Sequence, residues 1–192
     1  MKEYKLPIGC DVPETIILAD GDFPSHPLAL EWLRQCPYVV CCDGAANTYI
    51  RSGRMPEAIV GDGDSLLPDI KERYASLIHS EAEQETNDLS KAFRFCLSQE
   101  RKRITIMGAT GKREDHTIGN VSLLADYMEQ AEVSMMTDYG IFVPIREDSM
   151  FESYIGQQIS VFNMNSTALS AEGLAYPCLL YTSDAADDLT RV

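Results

Sequence analysis

Residues 58–65 read Ala58-Ile59-Val60-Gly61-Asp62-Gly63-Asp64-Ser65, an apolar run that passes directly into two acids separated by one glycine. The apolar residues predict a buried strand, so the acids lie where that strand ends and a loop begins. Two carboxylates at alternate positions of an extended segment project the same way and can bind one divalent cation. Ligands of open α/β sheets bind at that edge. A lone Asp-Gly-Asp is more often a solvated turn, so the rest of the chain decides between the two interpretations.

The composition is that of a folded, acidic chain. It has 192 residues, of which 45% are hydrophobic, and 16 basic against 30 acidic residues give a formal net charge of −14. This charge repels nucleic acid and anionic membranes, so we expect neither as a partner. A small phosphate ligand is still compatible with the chain if metal ions and a few local Lys or Arg residues cancel the repulsion.

The cysteines and the N-terminal residues indicate a reducing compartment. The six cysteines form no Cys-x-x-Cys pair, and we interpret them as reduced thiols. Residues 1–14 contain no apolar stretch long enough for a secretory signal, and no segment approaches the length of a membrane span. We therefore expect a cytoplasmic protein.

Apolar runs typical of strands alternate with helical patterns up to about residue 129. Strands are expected at 15–18, 38–42, 58–60, 77–79 and 103–107, and helices at 27–35, 45–51, 68–74, from about 87, and at 116–129. This repetition predicts an α/β fold with a mostly parallel, doubly wound sheet and helices on both faces. Short strands expected at 133–137, 141–145, 150–154 and 157–163 predict a smaller all-β sandwich. The expected domains are therefore 1–130 and 131–177.

Acids open other elements in the same way as residues 62 and 64. Asp43 ends the second strand before a small-residue turn, Asp88 starts a helix with Lys91 one turn later, and Asp115 precedes the last helix. Asp43, Asn47 and Asp115 also fit helix caps, and Asp88 also fits a partner of the helix dipole. Together, however, acids at consecutive openings of a doubly wound sheet gather at one edge. They repel each other unless cations lie among them, which favours a site for Mg²⁺ and a nucleotide.

The loop after the strand at 103–107 suits a polyphosphate. It reads Gly108-Ala109-Thr110-Gly111-Lys112-Arg113 and offers both backbone amides and two cations. It is not a Walker A loop, because only two residues separate its glycines and Arg113 follows Lys112. His116 and Asn120 share one face of the next helix, and a lone histidine is more often structural than catalytic.

Four motifs, in this order, resemble the bacterial thiamine pyrophosphokinase family. They are Asp43 to Asn47, Gly61 to Ser65, Gln84 to Ala92, and Gly108 to His116 together with Asn120. The resemblance covers residues 16–120 well and continues more loosely through the β region. It implies a homodimer that transfers the terminal pyrophosphate of ATP to the hydroxyl of thiamine, giving thiamine diphosphate and AMP.

The resemblance also implies roles for individual residues, with Mg²⁺ as the cofactor. The metal ligands would be Asp43, Asp62, Asp64 and Asp88, the last three also being the catalytic acids. The ATP and phosphate contacts would be Asn47, Gln84, Lys91, Gly108, Gly111, Lys112, Arg113, Asp115 and His116, and the thiamine contacts Asp43 and Asn120. Which carboxylate, if any, accepts the hydroxyl proton stays open. Gly63 and Lys112 depart from the family, which often has an aromatic residue and a second glycine there.

The end of the chain departs from the family more strongly. Residues 178–192 resemble the translated read-through of a sequencing adapter, and we expect a non-native tail; the alternative is a native helix capped by Ser183. If the tail is foreign, the sandwich is incomplete, and we expect ATP and Mg²⁺ binding to persist while pyrophosphate transfer is poor.

Two alternatives to the transferase function stay open at this point. One is a Mg²⁺-dependent phosphatase of the haloacid dehalogenase type, and the other is a non-catalytic nucleotide-binding protein.

Overall fold

The computed structural model describes residues 1–7, 11–80, 85–164 and 170–174. The strands in these ranges are β1 (Lys2–Tyr4), β2 (Thr15–Leu18), β3 (Val39–Cys42), β4 (Ala58–Val60), β5 (Ile78–His79), β6 (Arg103–Met107), β7 (Glu132–Met136), β8 (Ile141–Phe142) and β9 (Ser149–Phe151). The helices are α1 (Pro27–Gln35), α2 (Ala45–Arg51), α3 (Pro68–Arg73), α4 (Asp88–Ser98) and α5 (Glu114–Tyr127), with one 3₁₀ turn at Ala75–Leu77. None of these helices is long and apolar enough to cross a membrane.

Seven strands form one sheet in the order β5-β4-β3-β2-β6-β7-β8. All neighbouring strands are parallel except β7 and β8. Every residue of β2, β3 and β4 is buried, as expected for parallel strands that are covered on both faces. The predicted doubly wound sheet is confirmed.

Two helix layers build the core on either side of the sheet. On one side Phe93 of α4 is fully buried and stacks on Tyr127 of α5, with ring centroids 3.9 Å apart. On the other side Trp32 and Leu33 of α1 pack with Tyr49 of α2. Burying one such side chain stabilises the fold by about 1.5–3 kcal/mol. Packing from both faces of the sheet therefore holds the strand ends in place.

The N-termini of three helices show which of the nearby polar residues are helix caps. Gly44 occupies the N-cap of α2 without a side-chain cap, so the cap interpretation is wrong for Asp43 and also for Asn47, which lies inside the helix. Asn87 caps α4 by accepting a hydrogen bond from the Ser90 amide at 2.9 Å. The last helix begins at Glu114 rather than near 116, so Asp115 lies in its first turn and is not its cap.

The strands after residue 130 differ from the prediction. β7 and β8 belong to the seven-stranded sheet, and β9 pairs in parallel with β1 over three residues. Residues 157–163 contain no strand. An apolar alternation favours a strand but does not say which sheet it joins, because tertiary contacts choose the partner. The domain division at residue 130 and the sandwich over 131–177 stay predictions, and the tail at 178–192 lies outside the described residues.

Candidate active site

The connections of the sheet reverse direction next to β2. From β2 the chain continues to β3, β4 and β5 on one side, and then crosses to β6 and β7 on the other. At such a reversal doubly wound sheets bind ligands in a crevice outside the carboxyl ends of the strands, which here are β2 and β6. The loops that flank it are residues 19–26 after β2 and residues 108–113 after β6.

Asp43 is the most constrained acid at this edge. It follows β3 with a positive φ of 36°, and its side chain is only 5% exposed. Its Oδ2 accepts a hydrogen bond from the Ser65 amide at 3.0 Å, whereas its Oδ1 has no partner among the described residues. A Cβ at Gly61 would lie 2.8 Å from the Asp43 Cβ, so only glycine permits this packing. Asp43 therefore carries a buried carboxylate oxygen without a hydrogen-bond partner among the described residues.

The electrostatics of Asp43 show which acids surround it. Burial raises the pKa of this carboxyl, hydrogen bonds from Ser65 lower it, and the negative charges of Asp88 and Asp62 raise it further. Asp62 and Asp88 are therefore close enough to influence Asp43, as the sequence predicted. Among the described residues, however, no three His, Cys, Asp or Glu side chains lie close enough together to hold a metal ion as they stand. Asp43 and its two acidic neighbours carry the carboxylate oxygens that divalent cations prefer, so they could hold one only after their side chains move.

The loop at residues 61–65 is a bend and not the extended segment that the sequence analysis assumed. Gly63 has a φ of +76°, and the Asp64 amide donates to Asp62 Oδ1 at 3.0 Å. Asn47 of α2 holds the end of this loop, because its Nδ2 donates to Ser65 O at 2.8 Å and its Oδ1 accepts from the Leu67 amide at 3.0 Å. The amide of Asn47 therefore positions the acidic loop, and its contact with ATP stays a prediction.

Lys71 of α3 holds the same loop from the other side. Its Nζ donates to Gly63 O at 2.9 Å and lies 3.2 Å from the position that a Cβ at residue 63 would occupy. The lysine thus partly fills the space that a side chain at residue 63 would need. A cation fixed at this point also offsets part of the negative charge of Asp62 and Asp64.

Asp88 and Lys91 form a pair at the start of α4. Lys91 Nζ lies 3.2 Å from Asp88 Oδ1, and the lysine side chain is only 6% exposed. The two residues therefore share a helix face one turn apart, as predicted. A buried ammonium group needs an anionic partner, and Asp88 supplies it.

The glycine-bearing loop after β6 is fitted against the loop after β2. The Gly21 amide donates to Gly108 O at 2.6 Å and the Asp22 amide to Thr110 O at 2.8 Å. Gly111 has a φ of +104°, and a Cβ there would overlap the Asp22 carboxylate. The backbone of this loop is therefore fixed by its contacts with the loop after β2.

The charged residues of the β6 loop are exposed and already paired. Lys112 Nζ lies 3.0 Å from Asp20 Oδ1, and Arg113 forms a two-point contact with Asp115. The hydrogen bonds from Arg113 lower the pKa of the Asp115 carboxyl, and the same contact raises the pKa of Arg113. His116 is exposed on the first turn of α5. Gln84, the other residue expected to contact ATP, lies outside the described residues.

Asn120 is buried and connects two parts of the site. Its Nδ2 donates to Ala109 O at 2.9 Å, and its Oδ1 accepts from Asn87 Nδ2 at 3.1 Å. It therefore ties the β6 loop to the residue that caps α4, next to Asp88. These bonds give Asn120 a positioning role, and its contact with thiamine stays a prediction.

Sequence reasoning missed one acid of this edge, Asp20. With Asp22 it forms a second Asp-Gly-Asp after β2, the same pattern as residues 62–64, and this repetition was the signal that could have found it. The loop that carries them is held by Asp138, which follows β7 and accepts hydrogen bonds from the amides of Ser25 and His26 at 2.9 and 2.8 Å. The Ser25 hydroxyl also donates to Asp138 and lowers the pKa of its carboxyl.

A doubly wound sheet with acids and a basic glycine loop at its switch point is typical of α/β proteins that act on phosphorylated ligands. The model of the thiamin pyrophosphokinase catalytic domain matches residues 29–136, and that of the thiamin pyrophosphokinase substrate-binding domain matches residues 140–184. The chain belongs to the thiamin pyrophosphokinase family. The family predicted from the four motifs is therefore confirmed, and the haloacid dehalogenase alternative is not supported.

Individual relatives agree with this assignment. The chain is 30% identical over 129 residues to thiamine pyrophosphokinase 1 of Oryza sativa subsp. japonica, covering 54% of this chain and 49% of the relative. It is 34% identical over 86 residues to thiamine pyrophosphokinase of Bacillus subtilis strain 168, covering 43% and 40%. The chain thus spans about half the length of the curated relatives it matches.

Solved structures share the fold. The crystal structure of yeast thiamin pyrophosphokinase matches with a TM-score of 0.57 at 18% identity, covering 71% of this chain and 63% of that one. The structure of thiamin pyrophosphokinase from Geobacillus thermodenitrificans matches with a TM-score of 0.52 at 27% identity, covering 64% and 58%.

Proposed function

We propose that the protein transfers pyrophosphate from ATP to the hydroxyl of thiamine, giving thiamine diphosphate and AMP. The observation that carries this proposal is the buried Asp43, whose Oδ1 lacks a partner beside Asp62 and Asp88. The basic loop after β6 lies at the same edge of the sheet. Family membership supplies the identity of the two substrates.

Asp43, Asp62, Asp64 and Asp88 are the residues that would hold Mg²⁺. When bound, Mg²⁺ offsets the charge of the transferred phosphates. Part of this charge is already offset by the protein, because Lys71 and Lys91 lie beside the acids and Lys112 and Arg113 lie on the β6 loop. Lys112 and Arg113 are exposed and can exchange their carboxylate partners for phosphate oxygens.

The reaction needs positioning and charge cancellation more than a covalent intermediate. The thiamine oxygen forms a bond to the β-phosphorus while the bond from that phosphorus to the bridging oxygen breaks, and AMP leaves with that oxygen. The hydroxyl proton passes to a carboxylate, for which Asp62, Asp64 and Asp88 are the candidates. Asn47, Lys71 and Asn120 act indirectly, because they fix the loops that carry these groups.

The remaining parts of the proposal concern assembly and location. We propose a homodimer in the cytoplasm, as the family resemblance and the reduced cysteines suggest. Four cysteines in the described part of the chain, Cys36, Cys41, Cys42 and Cys96, are free thiols, which suits a reducing compartment.

The test is the release of AMP from Mg·ATP, with and without thiamine. We expect thiamine-dependent AMP and thiamine diphosphate in equal amounts, and a loss of both in Asp62→Asn but not in the matched surface variant Asp69→Asn on α3. Phosphate release with a trapped phosphoaspartate at Asp62 would replace the proposal with a phosphatase. Thermal stabilisation by Mg·ATP without any AMP would replace it with a non-catalytic nucleotide-binding function.

A further inference from the structure

The side chain of Asp20 lies between the acidic residues that follow β3 and β4 and the basic loop that follows β6. Asp20 follows β2 at the point where the sheet reverses direction. Its Oδ2 lies 2.6 Å from the position that a Cβ at Gly44 would occupy, so the carboxylate contacts the residue next to Asp43. Its Oδ1 accepts a hydrogen bond from Lys112 Nζ at 3.0 Å, which connects it to the β6 loop.

The position of this ion pair is fixed by the backbone, whereas its side chains can still exchange partners. The amides of Gly21 and Asp22 donate to the β6 loop on either side of the pair, so the two loops keep one register. The side chains of Lys112 and Asp20 are 55% and 43% exposed. An exposed pair of this kind is weak, so a stronger anion or cation can replace either partner.

We propose that Asp20 is a specificity-determining residue that makes the site prefer the Mg²⁺ complex of a triphosphate over the free triphosphate. The inference rests on the proposed function. A free triphosphate must take Lys112 from Asp20 and leave that carboxylate unpaired beside Asp43, which costs binding energy. A triphosphate that arrives with a divalent cation brings the positive charge that Asp20 loses. Asp20 then faces the positive charge of the cation in place of Lys112. Lys112, in turn, pairs with the phosphates in place of Asp20.

The experiment measures binding rather than turnover. Inorganic triphosphate is titrated calorimetrically into the full chain, once with EDTA and once with excess Mg²⁺, for the wild type, Asp20→Asn, Asp22→Asn, Lys112→Met and the double variant Asp20→Asn/Lys112→Met. Asp22 is the matched control, because it lies on the same loop against Gly111 and forms no ion pair with the described residues. A second variant, Asp20→Ser, covers the case in which Asp20→Asn fails to fold.

We expect Asp20→Asn to tighten metal-free triphosphate binding about two- to five-fold, the range that an exposed ion pair allows. Its binding with Mg²⁺ should stay equal or weaken, so the Mg²⁺ preference falls. Asp22→Asn should leave that preference unchanged, and in the Lys112→Met background the effect of Asp20→Asn should disappear.

Three results would overturn the inference: an unchanged Mg²⁺ preference in Asp20→Asn, an equal effect of Asp22→Asn, or additive effects of Asp20→Asn and Lys112→Met. If wild type binds triphosphate in none of these conditions, the proposed function fails as well, so the two failures are distinguishable.

Discussion

The carboxyl edge of the seven-stranded sheet and the segment after β7 are built in different ways. At the edge, polar side chains are fixed by hydrogen bonds and rest on two buried helix layers. After β7 the strands are two or three residues long, and large apolar side chains face outwards, among them Phe151, Tyr154, Ile155, Phe162 and Met164. The residues proposed for chemistry therefore depend on a well-packed core, whereas the later segment gains little stability from its own contacts.

The largest expected effect concerns that core. Phe93→Ala removes a fully buried ring that stacks on Tyr127 and should lower the free energy of unfolding by about 3–5 kcal/mol. The matched change Phe151→Ala removes a ring that stacks on Tyr4 but is 41% exposed, so it should cost less than about 1 kcal/mol. Urea unfolding measures both. Equal losses would show that the two regions are equally well packed.

The next effect concerns catalysis. Asp88→Asn keeps the shape of the side chain but removes the charge that pairs with Lys91 and acts on Asp43. We expect thiamine-dependent AMP release per folded molecule to fall about 100-fold. The free energy of unfolding should also fall, because the buried Lys91 loses its charged partner. The exposed variant Asp69→Asn serves as the control. A loss of activity that merely follows a loss of folded protein would contradict the role of Asp88.

A smaller effect should come from the positioning of the acidic loop. Asn47→Ala removes two hydrogen bonds to residues 65–67 and should cost about 1–2 kcal/mol of stability. It should also raise the Mg²⁺ concentration needed for half-maximal activity, because Asp62 and Asp64 lose their fixed position. The neighbouring exposed variant Thr48→Ala should change neither quantity. An unchanged Mg²⁺ requirement in Asn47→Ala would reduce Asn47 to a purely structural role.

The smallest effect is a pH dependence of stability. Burial raises the pKa of the Asp43 carboxyl above its ordinary value, so the folded state binds this proton more tightly than the unfolded state. The charge of Asp43 therefore costs stability as pH rises through the raised pKa, and the cost is absent below the ordinary pKa. Asp43→Asn should be more stable than wild type at neutral pH, with a difference that shrinks on acidification. Melting temperatures of both proteins from acidic to neutral pH, without divalent cations, measure this difference. A difference in stability that does not change with pH would contradict the prediction.

The sequence was sufficient for the α/β sheet because buried parallel strands and amphipathic helices leave clear apolar patterns. It also placed Asp43, Asp62 and Asp88 together, since acids at the ends of parallel strands must meet at one edge. It could not show that Asn47 and Asn120 hold loops of the site in place, because the partners of an amide are set by tertiary contacts. It could not assign β7 and β8 to the main sheet for the same reason.

The proposed function requires Asp43, Asp62 and Asp88 to converge on one bound cation. Mn²⁺ binding in the presence of inorganic triphosphate, followed by electron paramagnetic resonance, measures this in wild type and in Asp43→Asn. We expect Mn²⁺ to bind at least about ten-fold more weakly to the variant, although the variant is the more stable protein at neutral pH. Equal Mn²⁺ affinity in the two proteins would show that Asp43 does not hold the cation.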